Sequence, residues 1–196
     1  MSFMEKFQAQ IEKFLVPVAS KLNSQRHICS IRDAFILTFP LTMAGSLMVL
    51  LNSVFLSPDG FVCKTLGLAK VFPNIAELQA IFSPVLKGST DILAILITFL
   101  IARNLAKHLK SDDLLAGLTA VSVFFIVYPD YVSVDGGNHL ATTFLGPQGL
   151  FVAIIVGILV AELMAALSKS DKLEIKMPEQ VPPAVARTFK LLLPII

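Results

Sequence analysis

Long apolar runs alternate with short polar segments along the whole chain. Four runs predict membrane-spanning helices, at residues 33–55, 83–102, 114–128 and 149–167, and a fifth apolar run begins at residue 191. A helix needs about 20 apolar residues, and roughly 17 at least, to cross the hydrocarbon core of a bilayer. The third run, Leu114–Tyr128, is shorter, so it is either a short span that borrows flanking residues or a re-entrant segment. We favour the span because the charge pattern described below requires it.

Residues that usually interrupt helices occur inside two of these runs. Pro40 and the small residues Ala44–Ser46 interrupt the first run. Membrane helices tolerate such residues when neighbouring helices satisfy the freed backbone groups. Small residues also let another helix approach closely, so we predict that Ala44–Ser46 serve close packing rather than contact with a substrate. In the second run, Ser83 and Pro84 predict the N-cap and the first residue of a helix.

The polar segments between the runs predict surface helices and turns. Residues 2–22 predict an amphipathic helix, because their apolar residues, which include Ile11, Phe14 and Val18, recur at helical spacing. This helix either lies in the membrane interface or packs as an ordinary helix, and the periodicity fits both. Residues 57–79 predict a loop, and 129–148, with Gly136-Gly137-Asn138, predict a turn. Residues 184–190 predict a short helix along the membrane.

Composition and charge place the chain in a membrane. Hydrophobic residues make up 55% of the 196 positions and charged residues 15%, against about a quarter in a soluble domain. The basic residues lie in short clusters between apolar runs, which argues against a nucleic-acid-binding face. Thirteen of the sixteen Lys and Arg residues fall in segments 1–32, 103–112 and 168–190. The positive-inside rule therefore predicts four spans with the amino terminus in the cytoplasm.

No pattern of catalytic or metal-binding residues is present in the sequence. We find no nucleophile–base arrangement, no Walker A motif, no HExxH and no paired carboxylates, so we expect no catalytic residue, no metal site and no cofactor. His27, His108 and His139 fall in loops or beside spans and are expected to be solvated. Cys29 and Cys63 lie on either side of the first run, so they are expected to be unpaired thiols on opposite sides of the membrane.

Three charged residues fall close to or inside predicted spans. Lys87 and Asp91 lie four residues apart, which places them on one helical face as a possible ion pair. We favour a solvated pair at the interface over a functional pair at membrane depth. Glu162 lies in the last third of the fourth run. It either forms hydrogen bonds near the interface, which we favour, or lines a polar path through the membrane.

Several segments resemble one family of sugar permeases. They are Ile31–Phe35, Pro40–Ser46, Leu114–Leu118, Val160–Leu163 and the stretch KMPEQVPPAVARTF at 176–189, which is the most specific. Their order and spacing are similar to those of the membrane-embedded EIIC component of bacterial sugar phosphotransferase systems, in the lactose/cellobiose/diacetylchitobiose family. The resemblance implies an all-α membrane protein with four transmembrane helices, the start of a fifth, and amphipathic interfacial helices.

The resemblance also implies a function for a longer parent protein. In the family the amino-terminal part forms the dimer interface, and residues 1–196 correspond to it. The later part carries the sugar-holding residues; no position here matches them, so the substrate-binding residues are unknown. The implied partners are a β-linked disaccharide, membrane lipid, a second copy of the chain and a phosphorylated EIIB protein, in the bacterial inner membrane.

Two other functions stay open from the residues alone. The chain stops at Ile196, six residues into the fifth apolar run, so we expect a truncated or partial product. The second hypothesis is a membrane scaffold that inserts and dimerises but transports nothing. A less favoured alternative is an unrelated secondary transporter, whose inverted repeats would appear as paired broken helices.

Overall fold

The chain is mostly helical, as predicted. The computed structural model describes residues 3–57, 59–66, 75–129, 132–134, 136–170 and 195. It describes the backbone without the side chain at residues 3–10, 66, 75, 76, 78, 79, 83 and 134. The helices are α1 (Phe3–Ser24), α2 (Arg26–Leu50), α3 (Phe61–Leu66), α4 (Ile75–Lys87), α5 (Leu93–His108), α6 (Asp113–Ile126) and α7 (Leu150–Leu167). A π-helical turn (Leu51–Leu56), two 3₁₀ turns (Thr90–Ile92 and Pro147–Gly149) and a hairpin of β1 (Val132–Val134) and β2 (Gly137–His139) complete the described elements.

Helix α5 lies at the centre of a bundle with α2, α6 and α7. Asn104 near the end of α5 contacts Ser30 near the start of α2, so these two helices are antiparallel. Ala94 at the start of α5 lies beside Gly149, so α5 and α7 run in the same direction. We call the end where α2 begins and α7 ends the basic end, and the opposite end, with Ala94 and Gly149, the far end.

Small residues allow the bundle helices to approach closely. Eight alanines of the four helices are completely buried: Ala34, Ala94, Ala102, Ala106, Ala116, Ala120, Ala153 and Ala161. A Cβ atom added at Gly157 would lie 3.1 Å from two side-chain atoms of Ile101, and one added at Gly45 would lie 2.5 Å from the Ser89 Oγ. Membrane helices lack a hydrophobic driving force between them, so such close contacts supply much of their attraction. Of the three small residues predicted to serve close packing, Gly45 is buried against Ser89, whereas Ala44 and Ser46 are exposed.

The first apolar run extends beyond its predicted bounds of 33–55. Helix α2 begins at Arg26, and its helical backbone continues as a π-helical turn to Leu56. Asp33, the predicted start, lies inside the helix, where its carboxylate is 2.8 Å from the guanidinium of the neighbouring Arg32. Pro40 lies inside α2 without ending it. Part of the loop predicted at 57–79 is helical, since α3 and the start of α4 lie there.

The predicted start of the second span, at Ser83-Pro84, is wrong. Pro84 lies inside α4, which begins at Ile75 and ends at Lys87. The chain then turns at Gly88-Ser89, forms a 3₁₀ turn and continues as α5. The helix ends where a basic residue is followed by glycine, which is a common C-terminal signal of helices. The second apolar run therefore forms two helices with a break between them.

Within the described residues, three stretches are long and apolar enough to cross a membrane: Arg26–Thr65, Ala80–His108 and Pro147–Leu167. The third apolar run forms α6, which is apolar but has only 14 residues. Four spans and the start of a fifth therefore remain a prediction. Helix α7 begins one residue after the predicted start of the fourth run and ends with it, at Leu167. The helix predicted at 184–190 and the apolar run from 191 lie outside the described residues, apart from Ile195.

The segment predicted as a Gly-rich turn contains a short hairpin. Strands β1 and β2 pair antiparallel, with Val132 opposite His139 and Val134 opposite Gly137. Gly136 in the connection has a backbone φ of 78°, which residues other than glycine rarely adopt. The turn is confirmed. The two strands were missed because three residues are too few to show an alternating pattern.

Candidate functional site

Glu162 joins the end of α7 to the start of α2 at the basic end. Its Oε1 accepts a hydrogen bond of 2.8 Å from a terminal guanidinium nitrogen of Arg26. The Nε2 atom of His27 also lies 2.8 Å from that oxygen. The residues come together because α2 runs antiparallel to α7, so the first turn of α2 meets the last third of α7. The hydrogen-bonding role that we favoured for Glu162 agrees with this arrangement.

The solvent exposure of the cluster around Glu162 limits how much its ion pair stabilises the fold. The side chains of Arg26, His27 and Glu162 are 50%, 31% and 34% exposed. Ion pairs open to solvent contribute about 1 kcal/mol at most. The cluster therefore positions the start of α2 without holding the bundle together. His27 was expected to be solvated, but its side chain is only partly exposed and its ring contacts a carboxylate 135 residues away.

A second group of charges fixes the turn between α5 and α6. The Asp113 carboxylate lies 3.2 Å from the Arg103 Nε and 3.7 Å from the Lys107 Nζ. Asp112 caps α6, because its side chain accepts a hydrogen bond from the Leu115 backbone N–H. The acidic residues at the start of α6 also favour the positive end of the helix dipole. These contacts place the carboxylates of α6 and α7 at the same end of the bundle.

The buried polar side chains of α2 and α5 donate hydrogen bonds to backbone carbonyls. Thr98 and Thr38 are buried, and each hydroxyl donates to a carbonyl of its own helix, at Ala94 and Ala34 respectively. Asn104 is the exception, because it donates across to the Ser30 carbonyl of α2 at 3.5 Å. These hydrogen bonds satisfy the two threonine hydroxyls within their own helices and join α5 to α2 through Asn104.

The remaining candidate residues lie apart from one another. His108 and His139 are exposed, as predicted. Cys29 and Cys63 are free thiols, as predicted, and both are buried. Lys87 and Asp91 form no ion pair, because the break at Gly88-Ser89 separates them, so the predicted shared helical face does not exist. Among the described residues no three His, Cys, Asp or Glu side chains could hold a metal ion.

An aromatic cluster at the far end was not predicted as a site. Tyr128 donates a hydrogen bond from its hydroxyl to the Ala141 carbonyl and accepts one of 3.2 Å from the Phe144 backbone N–H. Its ring lies 5.8 Å from that of Phe124 and 6.4 Å from that of Phe144. These rings border a cleft of about 290 Å³ beside Gln148. A tyrosine at the end of an apolar run is typical of a membrane interface, and this signal could have indicated the position of Tyr128.

Comparison with known proteins identifies the family. The family model "Phosphotransferase system, EIIC" matches residues 32–196. The chain belongs to the EIIC family of the phosphotransferase system. EIIC proteins of this family are integral membrane transporters, and the apolar helices described above fit that class. The matched residues include α2 from Arg32 onward and every later helix of the bundle.

Individual EIIC proteins are similar over most of the chain. The cellobiose-specific EIIC component of Geobacillus stearothermophilus is 34% identical over an alignment of 203 positions. The alignment covers 97% of this chain and 43% of that protein. The oligo-beta-mannoside-specific EIIC component of Bacillus subtilis (strain 168) is 30% identical, over 94% of this chain and 40% of that protein. The chain thus spans less than half the length of these relatives.

A solved structure has the same fold as this EIIC chain. It is the crystal structure of the transporter ChbC, the IIC component from the N,N'-diacetylchitobiose-specific phosphotransferase system. The TM-score is 0.77 and the sequence identity 31%, over 94% of this chain and 43% of ChbC. The resemblance to the lactose/cellobiose/diacetylchitobiose family is therefore confirmed.

Proposed function

We propose that this chain is part of a membrane permease that translocates a β-linked disaccharide for phosphorylation by EIIB. The observation that carries the proposal is the EIIC match over residues 32–196, together with 34% identity to a cellobiose-specific component. The names of the similar proteins specify cellobiose, oligo-β-mannosides and diacetylchitobiose. The β-linkage is our inference from these names and from the family resemblance.

Within that permease, residues 1–196 are proposed to form the dimer-interface part. The exposed apolar surface of α2 supports this role. Ile36, Phe39 and Met43 are each between 56% and 61% exposed, and Leu47 is 55% exposed, although they lie in a helix of the bundle. A face of this kind meets either lipid or another protein helix. A second copy of the chain is the proposed partner.

The charges support the proposed orientation. The basic end carries Arg26, Arg103 and Lys107, whereas Lys64 and Lys87 are the described Lys and Arg residues outside segments 1–32, 103–112 and 168–190. By the positive-inside rule, the basic end and the amino terminus face the cytoplasm of a bacterial inner membrane. EIIB would then approach the basic end.

A chimera tests the function directly. The chain replaces the matching segment of the cellobiose-specific EIIC component of Geobacillus stearothermophilus in cells that lack their own β-disaccharide permease but contain the matching EIIA and EIIB. We expect these cells to accumulate phosphorylated cellobiose and to accumulate no maltose phosphate. The control is the same component with the segment deleted.

Two results would overturn the proposal. A chimera that reaches the membrane but moves no β-linked disaccharide would remove the transport role. Uptake by the 196-residue chain alone, equal to that of a full-length relative, would show that this part holds the sugar site. The alternative of a scaffold that transports nothing is not favoured, because the similar proteins are transport components.

A further inference from the structure

Helix α1 carries an apolar stripe that the described part of the chain does not cover. Ile11, Phe14, Leu15, Val18 and Leu22 follow the spacing of one helical face. Phe14 is 71% exposed and Leu15 53% exposed, and the other three side chains are exposed by 37% to 45%. The sequence alone allowed either a packed helix or an interfacial one. This degree of exposure excludes burial of the stripe against the described residues.

The position of α1 along the chain places it at the edge of the bilayer. A single residue, Gln25, separates α1 from α2, and its backbone leaves the helical region with φ −81° and ψ 115°. The stretch that is long enough to span a membrane begins directly after it, at Arg26. A chain that enters the bilayer at Arg26 therefore has its preceding helix within reach of the lipid headgroups.

The charges at the basic end favour one class of lipid. Asp33, Asp113 and Glu162 are each paired with arginine. By contrast, Lys21 in the last turn of α1 is exposed and has no carboxylate within 4.0 Å among the described residues. At about 100° per residue, Lys21 lies about 80° from the centre of the apolar stripe. A side chain at that angle reaches the headgroups when the stripe is in the lipid.

We propose that α1 lies on the bilayer surface and holds an anionic phospholipid. Its apolar stripe enters the boundary between headgroups and acyl chains, and the Lys21 ammonium binds the lipid phosphate. One lysine near an anionic membrane surface contributes about 1 kcal/mol, which corresponds to about five-fold local enrichment of anionic lipid. Lys13 lies about 160° from the stripe centre by the same geometry, so it points to water and does not contribute.

The absence of tryptophan from the sequence makes a clean experiment possible. The full chain, with a single tryptophan introduced as Phe14→Trp, is placed in nanodiscs of equal parts phosphatidylglycerol and phosphatidylcholine. Two preparations are compared: in one the acyl chains of phosphatidylglycerol carry bromine, and in the other those of phosphatidylcholine do. Bromine quenches tryptophan fluorescence. Trp emission should be blue-shifted and quenched, and brominated phosphatidylglycerol should quench it more strongly. Ser20→Trp, about 180° from the stripe, should show neither effect.

Matched lysine variants identify the lipid contact. Lys21→Gln in the Phe14→Trp background should make the two brominated lipids quench equally while the blue shift remains. Lys13→Gln should leave the preference for phosphatidylglycerol unchanged. Equal quenching of the tryptophans at positions 14 and 20 would overturn the surface placement. A blue-shifted tryptophan at position 14 that neither lipid quenches would show that a second copy of the chain covers the stripe. A preference that survives Lys21→Gln would overturn the phosphate contact.

Discussion

The close approach of Gly149 to the loop before it allows a sharp test of the far end. Gly149 is buried in the 3₁₀ turn that precedes α7. A Cβ atom added there would lie 1.9 Å from the Phe144 carbonyl oxygen and 3.2 Å from the Ala94 Cβ. The backbone of Gly149 has φ −87° and ψ −3°, which alanine adopts freely. Gly149→Ala therefore perturbs the structure by steric overlap alone.

The cost of this overlap follows from what must move. The Phe144 carbonyl has to retreat by about 1.5 Å to reach ordinary van der Waals contact. The next residue, Leu145, accepts a hydrogen bond of 2.8 Å from the Ala94 N–H at the start of α5. Overpacking costs about 1–3 kcal/mol and a lost hydrogen bond about 1 kcal/mol. We expect Gly149→Ala to destabilise the protein by about 3 kcal/mol, which lowers the melting temperature by roughly 6–12 °C for a chain of this size.

The two buried thiols supply the assay. Cys29 is 8% exposed and Cys63 2% exposed, so a thiol-reactive dye that fluoresces on reaction reports unfolding of the detergent-solubilised protein. The control is Gly88→Ala, because a Cβ atom added at Gly88 would meet nothing closer than the Pro84 carbonyl oxygen at 3.7 Å. Its stability should change by less than about 0.5 kcal/mol. If Gly149→Ala melts together with the control, the described contact between this loop and α5 is wrong.

Three further predictions concern the ends of the bundle. Glu162→Gln and Arg26→Gln should show a coupling of about 0.5–1 kcal/mol in a double-mutant cycle of dye-detected melting, and purely additive effects would argue against their ion pair. Tyr128→Phe removes two hydrogen bonds to the loop before α7, so amide hydrogen exchange of that loop should accelerate by at least ten-fold while exchange in α5 stays constant. In a background without the native cysteines, His139→Cys should react with an impermeant thiol reagent added outside intact cells and His108→Cys should not; the reverse pattern would invert the proposed orientation.

The helices that hydrophobic periodicity predicted best are those with clear polar boundaries. Helix α7 follows a run of apolar residues between Gly149 and Leu167, and its observed bounds differ from the prediction by one residue. Helix α6 was placed within one residue at its beginning and within two at its end. Asp112 and Asp113 mark that beginning. In both helices local residues determine the ends, so the sequence contains the necessary information.

The second apolar run shows where local signals compete. Proline is common at the first position of a helix, so Pro84 suggested a start. It instead lies in the interior of α4, and the break comes at Gly88. Both residues are local signals for a helix boundary, and at the observed break Ser89 packs against Gly45 of α2. That packing depends on two segments more than forty residues apart.

The candidate sites depend on contacts across still longer separations. Glu162 was recognised from its place in an apolar run, but its partners could not be, because Arg26 and His27 lie more than 130 residues earlier. Tyr128 likewise binds a loop 13 to 16 residues later. One sequence shows which side chains are costly to place in a membrane. It does not show which other residues satisfy them.

The hydrogen bond from Ala94 to Leu145 has a consequence for synthesis of the protein. The acceptor is translated about fifty residues after the donor, which is a delay of roughly 3–10 s at ordinary elongation rates. During that interval the first turn of α5 lacks its final backbone partner, and water or the insertion machinery must satisfy the Ala94 N–H. Helix α5 would therefore enter the bilayer before its depth is fixed, and completion of the segment before α7 would anchor it.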